Sequence, residues 1–289
     1  MATPLSADKL LRALRDEGLR VVEHRSWRTH NRNHKGAWGP VYGVMIHHTV
    51  TSGTQSSVDL CYDGHSSLPG PLCHGVIAKD GTVHMVGHGR ANHAGLGDDD
   101  VLRAVINETA LPADNEANTD GNRSFYGFEC INLGNGKDPW PAAQLLAIEK
   151  AAAAICRAHG WNQRSVIGHK EWQPGKIDPR GFTMGSMRTR VRTRLAGKPD
   201  GPAKPPATYE PFPGAAFFRA GRRSAVITAM GKRLVAEGCG KYEVGPGPAW
   251  SEADRASYAA WQRKLGYSGS GADGVPGRTS WDKLKVPNV

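Results

Sequence analysis

The chain contains 289 residues, of which 39% are hydrophobic and 22% are charged, and its formal net charge is +10. These fractions are typical of a soluble globular protein. No run of 18 or more apolar residues occurs, which excludes a transmembrane helix. The positive charge favours an anionic partner. Nucleic acid is one candidate partner and another anionic polymer is a second, and charge alone does not choose between them or exclude a simple role in solubility. No run of five basic residues and no nucleic-acid motif occurs, and we expect neither nucleic acid nor a membrane as a partner.

The N-terminal segment MATPLSADKLLRALRDEGLR interrupts its apolar positions with charges, so it lacks the apolar core of a secretory signal. It predicts an amphipathic helix capped by Ser6. We therefore expect a cytoplasmic protein that ordinary secretion does not export. The five cysteines form no CxxC pair, and their number is odd. This pattern argues against a disulfide framework or a thiolate zinc site and favours free, buried thiols.

Periodicity and turn signals predict strands that alternate with helices over the first 196 residues. The predicted elements are, in chain order, a strand at 41–51, a hairpin at 76–86, a helix at 98–109, a strand at 124–133, a helix at 141–159, a strand at 165–167 and a helix at 184–195. Such alternation is typical of an α/β layer architecture.

A segment rich in proline and glycine, residues 197–212, predicts a semi-rigid linker. It separates residues 1–196 from a smaller piece, residues 213–289. That piece predicts three helices, the first two at 224–237 and 251–265, with Trp261 and Trp281 in their core. We see no set of catalytic side chains in it.

Three features of the first piece combine polar side chains with predicted strands. His47 and His48 end the first long strand, and they cannot both face one site because successive side chains point to opposite faces. Glu129 is a lone carboxylate in the apolar strand FYGFECI, where it must be paired or functional. The loop GHKEWQPGKIDPR begins at a strand end with His169 and carries Asp178.

Two histidines and one carboxylate from separated positions match a catalytic zinc site, which leaves a fourth position open for water. A nearby carboxylate could take a proton and a lysine could hold an oxyanion. Each histidine taken singly is more often structural. His84 and His88 form a second pair, but they would share a metal only on a helix, and the surrounding glycines predict a hairpin.

The segments VMIHHTVT, FYGFECIN and GHKEWQPGKIDPR, in this order, resemble the type 2 zinc-dependent N-acetylmuramoyl-L-alanine amidases. Phage endolysins, bacterial amidases of muropeptide recycling and peptidoglycan recognition proteins share that fold. The resemblance spans about residues 30–195. It implies a mixed central sheet flanked by helices.

The resemblance also implies roles for individual residues. His47, His169 and Asp178 would be the three protein ligands of Zn²⁺. Glu129 would handle the proton, and Lys176 would stabilise the tetrahedral oxyanion.

The segment ANHAG resembles a stretch of the substrate-binding groove, which implies that Asn92 and His93 contact substrate. Many family members carry a catalytic tyrosine where this chain has Cys73. Since a thiol cannot replace a phenol, the chemistry would rest on Glu129 and Lys176, and we expect Cys73 to be a packed thiol.

The segment ADGVPGRTSW, in the C-terminal piece, resembles the three-helix peptidoglycan-binding domain found beside wall hydrolases.

These features favour a monomeric peptidoglycan hydrolase, of the phage endolysin type. It would stay in the cytoplasm of the host bacterium until released to the wall. A cytoplasmic recycling enzyme also fits, although a separate wall-binding domain favours the endolysin. Two other classes stay open: a non-catalytic peptidoglycan receptor, and a zinc peptidase that cuts within the stem peptide.

Overall fold

The computed structural model describes residues 2–203 and 209–289. The chain divides into two compact units, Met1–Lys204 and Pro205–Val289. Residues 204–208, which are part of the expected linker 197–212, lie outside the described residues, as does residue 1. None of the described helices is long and apolar enough to cross a bilayer.

The centre of the first unit is a six-stranded sheet with the order β1-β6-β5-β9-β2-β10. Neighbouring strands run parallel except for β5 and β6, which form an antiparallel pair. The sheet is therefore mixed, as expected. The strands of the unit are β1 (Val21–Glu23), β2 (Gly43–His48), β3 (Gly64–His65), β4 (Leu68–Pro69), β5 (Gly75–Ile77), β6 (Val83–Met85), β7 (Leu96–Gly97), β8 (Thr119–Asp120), β9 (Phe125–Cys130) and β10 (Val166–Gly168).

Helices cover both faces of this sheet. They are α1 (Ala7–Asp16), α2 (Thr54–Asp63), α3 (Asp99–Ile106), α4 (Gly121–Ser124), α5 (Ala142–His159) and α6 (Met184–Ala196). On one face α1, α5 and α6 bury side chains such as Leu14, Ile148 and Val191 against Val44, Ile46 and other sheet residues. On the opposite face α2 and α3 pack against the alternate side chains of the same strands. The expected α/β architecture is confirmed.

Two of the differences from the predicted elements concern β2 and α2. The strand expected at 41–51 is shorter, because only Gly43–His48 pairs with β9, and only residues 44–46 also pair with β10. Helix α2 was not predicted. Its sequence, TQSSVDLCYD, buries only two apolar side chains, Val58 and Cys61, so its periodic signal is weak.

The second unit is helical, with α7 (Ala225–Ala236), α8 (Glu252–Lys264) and α9 (Arg278–Leu284) among its described residues. Trp261 and Trp281 are buried in its own apolar core, together with Tyr258 and Leu284. Ser251 and Asp254 form the capping box at the start of α8.

The start of the expected linker packs on the first unit. Asp200 lies 2.9 Å from the Lys150 ammonium and also pairs with Arg194. The backbone amide of Gly201 donates a hydrogen bond to the carbonyl of Asp16. The chain up to Gly201 is therefore held by charged and backbone contacts with the first unit.

Candidate active site and metal centre

The carboxyl ends of β2, β9 and β10 lie at the same edge of the sheet, because these three neighbouring strands are parallel. His47 stands directly opposite Glu129 in the register of β2 and β9. Gly168 pairs with Ile46, so His169 follows its strand beside His47. Side chains at matching register positions share a face of the sheet. Three residues from three distant segments therefore meet at one edge.

His47, His169 and Asp178 form a close triangle of nitrogen and oxygen atoms. The Nδ1 atom of His47 lies 3.1 Å from Nδ1 of His169 and 3.0 Å from Oδ2 of Asp178. Nδ1 of His169 lies 3.1 Å from the same carboxylate oxygen. Among the residues that the structure describes, this is the one group of three or more metal-binding side chains found close together.

The triangle fits a tetrahedral metal ion such as zinc. Bonds of about 2.0–2.1 Å at tetrahedral angles place ligand atoms about 3.3–3.4 Å apart, close to the three observed separations. Two imidazoles and one carboxylate, with a fourth position left free, are a donor set typical of catalytic zinc. The ion would be held by His47, His169 and Asp178.

Contacts inside the 168–180 loop bring Asp178 back to the sheet edge. The backbone amide of Lys170 donates to the carbonyl of Asp178 at 2.7 Å, and its ammonium donates to the carbonyl of Pro179. The indole of Trp172 is fully buried and donates to the carbonyl of Ala94. The loop is therefore anchored on both sides of the carboxylate.

The second nitrogen of each histidine in the triangle also has a partner. Nε2 of His47 lies 3.1 Å from Nδ1 of His93, and Nε2 of His169 lies 3.2 Å from Oε1 of Gln173. In both imidazoles Nδ1 therefore faces the centre of the triangle and Nε2 faces a protein group.

Burial favours the neutral form of His47 and of its neighbour His93. It lowers the pKa of His47 to about 4, with a smaller opposing effect from the hydrogen bond to Asp178. Burial also lowers the pKa of His93 well below its ordinary value. Burial alone would raise the pKa of Asp178, but hydrogen bonds with His169 and His47 outweigh it and hold that pKa far below the usual range. An ionised carboxylate at Asp178 and a neutral imidazole at His47 are the protonation states that metal binding requires.

Glu129 is half-buried as a residue, and one oxygen of its carboxyl group is fully buried. Its Oε2 atom has no hydrogen-bond partner among the described residues. Burial raises the pKa of Glu129 well above its ordinary value, Asp178 raises it further, and Lys176 partly offsets this. A carboxyl group in this environment is a stronger base than an exposed glutamate.

The structure places the remaining predicted residues around this triangle. Lys176 is exposed in the turn that precedes Asp178. Asn92 donates through its side chain to the carbonyl of Pro69 at 3.3 Å. His93 is only 8% exposed, and both of its ring nitrogens contact protein groups. His48 points away from the triangle, as expected, and its Nδ1 accepts a hydrogen bond from the amide of Arg180.

Cys73 is fully buried in an apolar cluster with Cys61 and Val76. Burial, and then the nearby Cys61 thiol, raise the pKa of Cys73 well above its ordinary value. All five cysteines are free and buried. Cys73 is therefore a packed thiol and a poor nucleophile at neutral pH. His84 lies on the predicted hairpin, in β6.

The sequence did not single out the groups that support the triangle. Gln173 contacts His169, and the side chain of Asn122 accepts hydrogen bonds from the backbone amides of His93 and Ala94. Gly127 leaves space for a ring, since a Cβ there would lie 2.5 Å from Nδ1 of His93. A glycine inside a strand is the one signal of this arrangement that the sequence carries.

Comparison with known proteins places this site within a family. Residues 37–181 match the sequence profile of the N-acetylmuramoyl-L-alanine amidase family. The matched range is half of the chain, and it includes the triangle, Glu129 and Lys176. No curated protein sequence matches the chain.

Several solved structures are similar to the chain. One is an endolysin N-acetylmuramoyl-L-alanine amidase from Clostridium intestinale, with 16% identity over 60% of this chain and 95% of that chain and a TM-score of 0.39. A mutant endolysin from Bacillus subtilis has 16% identity over 60% and 99% of the two chains and a TM-score of 0.41. The amidase AmiD from E. coli has 17% identity over 87% and 90%, with a TM-score of 0.39. The family profile, which spans the triangle and the strand edge around it, shows that the chain belongs to the N-acetylmuramoyl-L-alanine amidase family.

Proposed function

We propose that the protein is a zinc-dependent peptidoglycan amidase that hydrolyses the bond between the lactyl group of N-acetylmuramic acid and L-alanine. The single observation that carries this proposal is the triangle of His47, His169 and Asp178 beside the half-buried Glu129. When bound there, zinc would act as a Lewis acid that lowers the pKa of water to about 7 and polarises a carbonyl group.

The side chains around the triangle have distinct roles in this proposal. Glu129 accepts a proton from the attacking water and transfers it to the departing nitrogen of L-alanine. The C–N bond breaks, and the products are a lactyl carboxylic acid and a free amine. Its burial supports this role, because a raised pKa brings a carboxylate closer to the pH at which a general base works best. Lys176, exposed at the same edge, would stabilise the negative charge on the carbonyl oxygen.

The second unit would hold the enzyme on its polymer. Residues 213–289 carry a separate apolar core, and the net positive charge of the chain favours anionic wall polymers. A tethered binding unit raises the local concentration of substrate for the catalytic unit. A deletion of this unit is expected to slow digestion of intact walls and to leave hydrolysis of a soluble muropeptide unchanged.

The biological role that fits best is a phage endolysin. Such an enzyme would stay in the host cytoplasm until it reaches the wall, and would act as a monomer. The combination of a catalytic unit and a separate small helical unit supports this over a recycling enzyme.

The test is mass spectrometry of purified peptidoglycan after digestion, with chelator and with zinc restored. The proposal expects free stem peptides with L-alanine amino termini, lost with chelator and regained with zinc. New termini inside the stem peptide would instead establish a zinc peptidase. Binding of the wall without any cleavage would establish a non-catalytic receptor.

A further inference from the structure

A groove runs along the edge of the central sheet, beside β10. This strand is the last in the sheet order, and among the described strands its partner is β2. The groove, named here the β10 groove, lies between residues 109–114 after α3, the segments on either side of β10, and helix α6. Its volume of about 450 Å³ is within the range of ligand-binding sites. Only three of its twelve lining residues are apolar, so it suits a polar ligand.

An ion pair between Arg188 and Glu171 covers the outer side of β10. The guanidinium donates two hydrogen bonds of 2.8 Å to the carboxylate. Arg188 also donates to the carbonyl of Val166 at 3.1 Å, and Glu171 accepts from the amide of Gly168 at 3.1 Å. Because these two backbone groups of β10 are occupied, an added peptide strand could not pair with them. The ion pair neutralises itself, so other side chains determine the charge of the groove.

Three further cations line the groove without a carboxylate partner among the described residues: Arg164, Lys170 and Arg192. The ammonium of Lys170 donates to the carbonyls of Pro179 and Phe182 at 2.7 and 3.3 Å. Carbonyl groups leave its positive charge uncompensated, and one of its three N–H groups is still available. Arg164 and Arg192 are exposed, and neither forms an ion pair within residues 2–203 and 209–289.

The arginines of α6 form two rows on different sides of the helix. Arg190 and Arg194, four residues apart, both contact Glu149, at 2.8 and 2.6 Å. Arg188 and Arg192, also four residues apart, both line the β10 groove. Residues four apart share one face of a helix. The first row is therefore neutralised by α5, and Arg192 in the second row is open to a ligand.

The distribution of these charges indicates the class of ligand. Arg164 precedes β10, Lys170 follows it, and Arg192 lies on the α6 side. Besides the paired Glu171, the carboxylate that lines the groove is Asp114, so three cations face one anion. Positive charges spread along a groove suit an extended polyanion, and guanidinium and ammonium groups both bind phosphate well. None of the described lining residues is aromatic, so the groove lacks the rings on which nucleic-acid bases stack.

We propose that the β10 groove binds the phosphate groups of an anionic polyol-phosphate polymer of the bacterial wall. The catalytic unit thereby holds the wall at a second place, since none of the triangle residues lines the groove. The choice of a wall polymer over other polyphosphates rests on the proposed function. The binding site itself does not, because it requires neither a metal nor hydrolysis.

Two double variants with the same change of net charge test the groove. Arg164→Gln with Arg192→Gln removes both exposed guanidinium groups and keeps polar side chains. Lys9→Gln with Arg12→Gln removes two exposed cations from α1, which does not line the groove. All four positions are exposed, so both variants should fold. If the groove variant does not fold, Arg192→Gln alone is compared with Arg12→Gln.

The experiment titrates the ¹⁵N-labelled full chain with purified poly(glycerol phosphate). Isothermal titration calorimetry at low and at physiological salt gives Kd, and ¹H–¹⁵N spectra locate the contact. We expect the groove variant to bind about 3- to 30-fold more weakly than the α1 variant, as two exposed ion pairs predict. Its affinity should also depend less on salt, because fewer counterions are released. In the wild type, amide shifts should include residues 163–164, 170 and 189–192.

The proposal fails if the groove and α1 variants bind the polymer equally well. It also fails if the shifted amides all lie within residues 209–289, since the second unit would then be the binding site. A single-stranded oligonucleotide with the same number of phosphates is the competitor. If it binds the groove more tightly than the polymer does, the ligand is a nucleic acid and the assignment to the wall is wrong. Failure of the amidase proposal would appear separately, as polymer binding by a protein that does not cleave peptidoglycan.

Discussion

His47 and Glu129 are direct neighbours on adjacent parallel strands, and their side chains point to the same face of the sheet. One belongs to a triangle that suits a metal ion, and the other is a carboxylate with a buried oxygen that no described group satisfies. This pairing places the Glu129 carboxylate beside the His47 member of the triangle through strand register alone. The strand register therefore determines how the two groups are arranged.

The carboxylate of Glu129 is expected to be needed for turnover and not for metal binding. Replacing it in Glu129→Gln keeps the shape and removes the base, so kcat should fall about 10²-fold or more. Zinc content should stay at the wild-type level, because Glu129 is outside the triangle. Single-turnover kinetics and elemental analysis of the same preparation measure both. Near-normal turnover would rule out the role.

Variants that lack one residue of the triangle are expected to lose zinc and activity together. His47→Ala, His169→Ala and Asp178→Ala each remove one of three donors, and too few remain to hold the ion firmly. Elemental analysis after dialysis gives the zinc content, and His84→Ala serves as a control from the same sheet. A variant that retains full zinc would remove that residue from the ligand set.

Lys176 is expected to contribute charge in the transition state. In Lys176→Met the long apolar part of the side chain is kept and the ammonium is lost, so kcat should fall about 10²- to 10³-fold. The effect on KM should be small, since the oxyanion exists only in the transition state. Steady-state kinetics on a soluble muropeptide distinguish the two constants. A change confined to KM would show that Lys176 binds substrate instead.

Gly127 is expected to tolerate no side chain. In Gly127→Ala the new Cβ would lie 2.5 Å from Nδ1 of His93, so the ring must shift. Overpacking of this kind costs about 1–3 kcal/mol in the free energy of unfolding, and zinc affinity should fall as well. Gly185→Ala is the matched control, because a Cβ there has no atom within 4 Å and should be tolerated in helix α6. Equal stability of the two variants in urea would contradict the expectation.

His74 is expected to make the fold sensitive to acid. Burial lowers its pKa to about 3, and its ring accepts from the amide of Gly127 and donates to the carbonyl of Gly89. Since the unfolded chain binds this proton near pH 6.5, the stabilisation is complete above that pH and declines as the pH falls towards 3. Between pH 6 and 4 the free energy of unfolding of the wild type should fall more steeply than that of His74→Gln, by about 1.4 kcal/mol per pH unit. Urea unfolding at several pH values tests this, and parallel curves would refute it.

Many of the helices and strands could be predicted from the sequence, because the patterns of apolar and capping residues that specify them involve residues close together along the chain. The long helix α5 has proline before it, an alanine-rich interior and Gly160 at its end, and it was found within one residue of the predicted bounds. Strand β9 was predicted because its apolar residues are continuous. Helix α2 was missed since it packs few apolar side chains, and its formation depends on the sheet beneath it.

For the candidate site, the sequence determined the chemistry and the tertiary structure determined the geometry. The order of the motifs and the residue types predicted a zinc amidase with His47, His169 and Asp178 as ligands. Only the register of parallel strands shows that groups 122 and 131 residues apart lie about 3 Å from one another. The contacts of His93 and Gln173 were also decided by the fold, because a hydrogen bond between distant segments has no local signature. Packing places these groups together, and packing depends on the whole chain.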